Sequence, residues 1–230
     1  MIGIIGAMDI EVNALIEHLE FDTVECVSGT EYHSGLLCAK PVVIARCGIG
    51  KVNSALCAQT LILRYKPKLL INVGVAGSLS PLFGIGDIAI ARDLVQHDVD
   101  TSALGDPLGM VSTVNRVHFD CAPWAVELVE DIVRSDPSLH GGTCRIATGD
   151  RFVAETGDKE WIHSTFSADA CDMEGGSTAQ VCYVNGVDCL VIRAISDSCS
   201  GEHAMEYSQF CRMAADQSAS VLMAFMNKMK

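Results

Sequence analysis

Nowhere in the 230-residue chain do about 18 uncharged apolar residues follow one another, so no transmembrane helix is expected. Positive charge is scarce as well: 16 Lys and Arg stand against 29 Asp and Glu, a formal net charge of −13. Phosphate backbones are gripped by clustered Lys and Arg, so the shortage argues against a nucleic-acid partner. The opening MIGIIGAMDIEV lacks a basic n-region and meets an acid at Asp9; it reads as a first strand, and a cytoplasmic protein is expected. Repeats, linkers and low-complexity stretches are missing. No CxxC pair occurs among the 11 cysteines, which are odd in number and scattered from Cys26 to Cys211. That pattern predicts reduced, mostly buried thiols packing as small hydrophobes, with no metal site and no disulfide framework.

What the chain does have is apolar content, 49% of its residues, enough for one well-buried core in a single domain over residues 1–230. The apolar run Ile2 to Gly6 reads as a strand, and Val12, Leu15, Ile16 and Leu19 follow at helical spacing with Asp9 as the expected N-cap. Extended runs at Glu31 to Leu37 and Pro41 to Cys47, joined through Ala39 and Lys40, predict a hairpin and therefore antiparallel pairing. Helical periodicity returns over Lys51 to Lys66, Trp124 to Val133 and Met205 to Met229. Strands are predicted at Leu69 to Val75, Asp87 to Val95, Gly142 to Thr148 and Cys189 to Ser196. The expected fold is α/β: a three-layer α/β/α sandwich around a mixed, twisted sheet, with ligands beyond the carboxyl ends of the strands.

Polar residues cluster at those strand ends: Glu11, Asn72, Asp150, Glu174 and the Ser196, Asp197 pair. A carboxylate buried there is costly unless it is hydrogen-bonded or functional. Taken singly, Glu11 also suits a helix first turn, and Asp197 a turn cap. Two glycine patterns fail as nucleotide motifs. Gly48, Gly50 and Lys51 lack the first glycine of a phosphate loop, where Ala45 stands, and its hydroxyl, where Val52 stands; Gly3 and Gly6 do not complete GxGxxG. No cofactor is expected.

In order and spacing, GIIGAMDIEV, CGIGKVNSA, INVGVAGS, ATGDRFV, CDMEGG and RAISDS resemble the methylthioadenosine/S-adenosylhomocysteine nucleosidases of the nucleoside phosphorylase superfamily, and the likeness spans nearly the whole chain. It implies an N-glycosyl hydrolase acting on adenine nucleoside thioethers. Cleaving such a bond passes through an oxocarbenium-like sugar, so both the leaving base and the incoming water need help. By resemblance, Asp197 protonates adenine N7, with Ser196 holding its side chain. Buried and unpaired from cations, such an acid keeps its proton near neutral pH. Glu11 orients the attacking water, its place in a helix first turn favouring the ionised form. Glu174 accepts from the ribose hydroxyls, Met173 packs beneath the sugar, and Arg193 organises Glu174 and the water or serves only as a carboxylate's structural partner.

The resemblance further implies that adenine stacks on Phe152 while the Val153 backbone reads its polar edge, and that Met8 and Tyr207 line the thioether end. The segment from His97 to Leu104 is expected to reach into a neighbouring subunit's site, making a homodimer. The sequence departs from many members at Val75, at Tyr207 and from Leu104 to Pro107, all of which bear on the 5′ pocket. A phosphorylase on the same fold is the main rival. It needs phosphate donors, commonly arginines, where this chain offers Glu11 and Asn72; a carboxylate repels phosphate and suits water, leaving only Arg46 as an anion contact. A nonenzymatic nucleoside sensor would be favoured by loss of Glu11 or Asp197, and both are present.

Overall fold

The computed structural model describes residues 1–199 and 204–229, with the side chains of residues 204–209 outside that description. Along the chain run β1 (Ile2–Gly6), α1 (Asp9–Glu17), β2 (Glu20–Val27), β3 (Thr30–Leu37), β4 (Lys40–Arg46), α2 (Lys51–Tyr65), β5 (Leu69–Ser78) and β6 (Ile88–Gln96). After these come β7 (His118–Asp120), α3 (Pro123–Ser135), β8 (Gly141–Thr148), α4 (Thr156–Phe166), β9 (Ala170–Asp172), α5 (Gly175–Asn185), β10 (Asp188–Asp197) and α6 (Ala204–Lys228).

One mixed sheet carries the molecule, in the order β10-β6-β8-β9-β5-β1-β4-β3-β2, with β10 also pairing with β5. β5 is the hub: parallel to β1 and β10, antiparallel to β9. Its LLINV start is buried throughout, as expected of a strand covered on both faces. Helices α1, α3 and α6 pack together on one side of the sheet, α2 and α5 on the other, giving the three-layer α/β/α arrangement. The hairpin of β3 and β4 turns on Cys38 and Ala39, both at positive φ, the backbone a two-residue turn demands for strands of native twist.

Several elements escape the hydrophobic pattern. β2 is an exposed sheet-edge strand, and its EFDTVECV shows no buried stripe. α5 begins GGST, poor helix formers held between α2 and the sheet. α4 has few apolar residues, and β7 and β9 are three residues each. Asp9, expected as the N-cap of α1, is its first helical residue; Met8 takes the cap position in extended conformation. Glu11 accepts the N–H of Ala7 and Met8 at the start of this helix, and Asp9 pairs with Arg46 at the surface, 3.1 Å away. All eleven cysteines are free thiols, eight of them buried.

Candidate active site

Beyond the carboxyl ends of β1, β5 and β10 lies a cavity of about 370 Å³ lined by Ala7, Met8, Glu11, Ile49, Val75, Ala76, Gly77, Arg151, Phe152, Val153, Cys171, Asp172, Met173, Glu174, Ser196 and Asp197. Glu11 enters from the first turn of α1. Its Oε2 accepts the N–H of Ala7 (2.7 Å) and Met8 (2.9 Å), and its Oε1 accepts the N–H of Val75 on β5 (3.1 Å). Burial raises its pKa, against the pull of the Arg193 cation and these three N–H donors. The first-turn location alone had suggested a simply ionised carboxylate; burial works the other way and leaves a more basic group, suited to accepting a proton from water.

Glu174 stands at the N-cap of α5, and its Oε1 accepts the N–H of Gly50 at 2.8 Å. Burial, then the charge of Asp172, push its pKa up to about 7. Gly50 has φ +100°, a conformation open to glycine, and an added Cβ there would stand 2.9 Å from Asp150 Oδ1. Asp150 does not line the cavity; it accepts the N–H of Lys51 at 2.7 Å at the start of α2. The glycines that failed as a phosphate loop therefore serve to bring a helix N-terminus against two carboxylates.

Asp197 ends β10, with Oδ1 accepting the Ser196 hydroxyl at 3.1 Å. Its surroundings correct an expectation. The side chain is not free of cations: Lys159 Nζ, from the buried face of α4, donates to Asp197 Oδ2 at 2.7 Å and to the Ser198 carbonyl at 2.6 Å. Two glycines of β5 make room for the pair of carboxyls. A Cβ on Gly74 would fall 2.4 Å from Glu11 Oε1, and one on Gly77 would fall 3.0 Å from Asp197 Oδ2.

A model of the phosphorylase superfamily matches residues 1–227. The 5'-methylthioadenosine/S-adenosylhomocysteine nucleosidase of Staphylococcus aureus (strain MRSA252) is 35% identical over 230 residues, the whole of both chains. The chain belongs to this nucleosidase family. Among solved structures, an S-adenosylhomocysteine nucleosidase from Streptococcus pyogenes in complex with 5-methylthiotubericidin superposes with a TM-score of 0.95 at 32% identity, covering 100% of this chain and 97% of that one. The futalosine hydrolase of Helicobacter pylori strain 26695 gives 0.94 at 33% identity, covering 99% and 97%.

Of the residues singled out from the nucleosidase resemblance, Met8, Glu11, Val75, Phe152, Val153, Met173, Glu174, Ser196 and Asp197 all line the cavity. Phe152 is 47% exposed at the mouth, which excludes core packing as its role. The Tyr207 side chain lies outside the described residues. Arg193 is the exception: it is 1% exposed and sits behind the lining. Its guanidinium pairs with Asp172 at 2.8 Å and donates to the Asn72 carbonyl at 3.0 Å and to the Asn72 side chain, so it braces a neighbour of Glu174 rather than Glu174 itself. Asp172, Cys171 and Arg151 line the site without having stood out in the sequence. Asp172 was legible only as part of CDMEGG, and Lys159 gave no signal, because a lone lysine in a polar helix reads as solvated surface.

Proposed function

We propose that the chain hydrolyses the N-glycosidic bond of 5'-methylthioadenosine and S-adenosylhomocysteine to adenine and the thioribose product. Four buried carboxyl groups, Glu11, Asp172, Glu174 and Asp197, line one cavity whose only lining cation among the described residues is Arg151, itself paired with Asp158. That observation carries the reading: an acid-rich lining disfavours phosphate and suits a neutral nucleoside and water. Arg46, the cation that left room for phosphorolysis, is exposed, paired with Asp9 and away from the lining.

In this reading adenine stacks on Phe152, the Val153 backbone reads its edge, and Met173 packs under the ribose while Glu174 accepts from its hydroxyls. Met8 and Val75 face the 5′ substituent. As the C1′–N9 bond breaks, its electrons pass to the purine and Asp197 gives a proton to N7. Water held by Glu11 adds to C1′ and yields its proton to that carboxylate, which returns it to solvent, from which Asp197 is reprotonated. Arg193 acts at one remove, through Asp172.

The chain is read as one domain working in the cytoplasm; among the described residues no helix is long and apolar enough to cross a membrane. A homodimer fits the surface. Val52, Leu56 and Leu63 expose one face of α2, Ile49 opens at the cavity mouth, and Leu104, at the end of the 97–104 segment, is 85% exposed. A partner's 97–104 segment would then close the 5′ end.

The experiment is free-base release: adenine from methylthioadenosine in phosphate-free buffer, the same with added phosphate in a second arm, and the purine base of futalosine in a third. Release without phosphate, reduced about 100-fold or more in Asp197→Asn and in Glu11→Gln, is expected. Release only with phosphate would make it a phosphorylase. Turnover of futalosine in preference to methylthioadenosine would move the substrate to that of the Helicobacter hydrolase.

A further inference from the structure

The lysine beneath Asp197 is out of keeping with its surroundings. Lys159, Ile162 and Phe166 form the buried face of α4, a stripe in which an aliphatic residue is the ordinary choice at every position. Burying an ammonium is costly, and a buried ion pair replaced by apolar side chains of similar volume is often neutral or stabilising. Stability therefore gives no reason for a lysine here. The geometry gives another: Lys159 is 1% exposed, and its Nζ meets Asp197 Oδ2 at 2.7 Å and the Ser198 carbonyl at 2.6 Å, so it grips the carboxyl and the backbone that follows it.

We propose that Lys159 is a positioning residue for the hydrolysis, holding the Asp197 carboxyl toward the base and taking up the negative charge that appears there as the proton passes to N7. The inference rests on Asp197 being the general acid. Lys159 neither gives nor takes a proton: the proton goes from the Asp197 carboxyl to N7, the C1′–N9 electrons go to the purine, and the new carboxylate is left in a charge-assisted hydrogen bond to the ammonium. Other groups around the carboxyl do not supply that charge. From β9 comes the Cys171 thiol, pushed up to about 12 by burial and so neutral; Ser196 offers a neutral hydroxyl; Glu11, Asp172 and Glu174, which share the cavity, are acids, and Arg151, its lining cation, pairs with Asp158.

The test compares Lys159→Met, an uncharged side chain of similar length, and Lys159→Arg with the unaltered protein. Measured are kcat and KM for methylthioadenosine from pH 5 to 10, with a thermal melt of each variant. Expected in Lys159→Met is a fall of about 10- to 100-fold in the plateau of kcat, the size of one lost charge-assisted bond, with KM within about threefold. Because an acid without a neighbouring cation keeps its proton to higher pH, the alkaline decline of kcat should also set in later. Lys159→Arg should recover most of both effects. A plateau within threefold of the unaltered protein, or a fall in both variants with the alkaline decline unmoved, would overturn the proposal and leave Lys159 a packing residue. A Lys159→Met chain that fails to fold would overturn it too, since the lysine would then be structural. Asp197→Asn, run alongside, separates the two readings: adenine release that survives it removes the general acid itself, whereas release lost there but intact in Lys159→Met removes only the role of the lysine.

Discussion

A buried acid with several N–H donors and a buried acid beside another acid are different chemical objects, and this site contains both. Glu11 has three backbone N–H groups to offset its burial, whereas Glu174 has one, from Gly50, and the charge of Asp172 beside it. The folded protein therefore binds a proton on Glu174 up to about pH 7, where the unfolded chain releases it near 4.5. A carboxyl whose folded pKa is raised contributes stability at low pH and loses it as pH rises from the unfolded value through the folded one. Replacing Glu174 with Gln removes that loss. The Glu174→Gln variant should gain roughly 1–3 kcal/mol relative to the unaltered protein on going from pH 4 to pH 8. Urea unfolding at both pH values measures it. Equal differences at the two would mean that Glu174 titrates normally in the fold.

At the scale of the element, β5 does two things with one sequence. Its first half, LLINV, is an all-buried central strand; its second half, GVAGS, trades side chains for clearance. Gly74 and Gly77 lie three residues apart, and each stands where a methyl group would meet one of the two carboxyls assigned to the chemistry. The backbone of β5 stays in register with β10 through Gly74, so an alanine there disturbs the Glu11 carboxylate, a movable side chain, more than the sheet. Gly74→Ala is expected to lower kcat about 100-fold or more while shifting the melting temperature by only a few degrees. A variant with near-normal turnover would show that Glu11 has room to relocate without losing its function.

The pattern of the chain made β5 visible as a strand and the glycines visible as a turn, yet not what the glycines were for, because the atom each avoids belongs to a residue about 200 Å or more of extended chain away. The same holds for α4 and α5. Small or polar residues that pack against a strand supplied by a distant part of the chain carry no helical stripe of their own, so their periodicity is silent.

For the molecule as a whole, the apolar face of α2 and the exposed Leu104 are among the apolar surface features that the three-layer fold leaves uncovered. If the proposed homodimer closes through this face, Leu56→Glu with Leu63→Glu should shift the assembly to monomer in sedimentation at micromolar concentration, since paired acids on an apolar face oppose its burial by another protein. Turnover should fall along with assembly if a partner's 97–104 segment closes the 5′ end. An unaltered protein that sediments as a monomer would remove the dimer, and a doubly substituted protein that still sediments as a dimer would place the interface elsewhere.

Taken by itself, the sequence determined the alternation of strands and helices, the placing of acids at strand ends and the membership of the nucleosidase family. Each of these is written in near neighbours along the chain: apolar period, glycine position, short motifs in order. Only the tertiary structure decided which charges meet. Lys159 and Asp197 are 38 residues apart, and Arg193 and Asn72 are 121 apart. Whether Arg193 braces Glu174 or Asp172, and whether Asp197 stands alone or against a cation, depends on how α4 and β10 pack. An ion pair needs its partners within a few ångströms, and no local pattern specifies a distance between segments that only the folded sheet brings together.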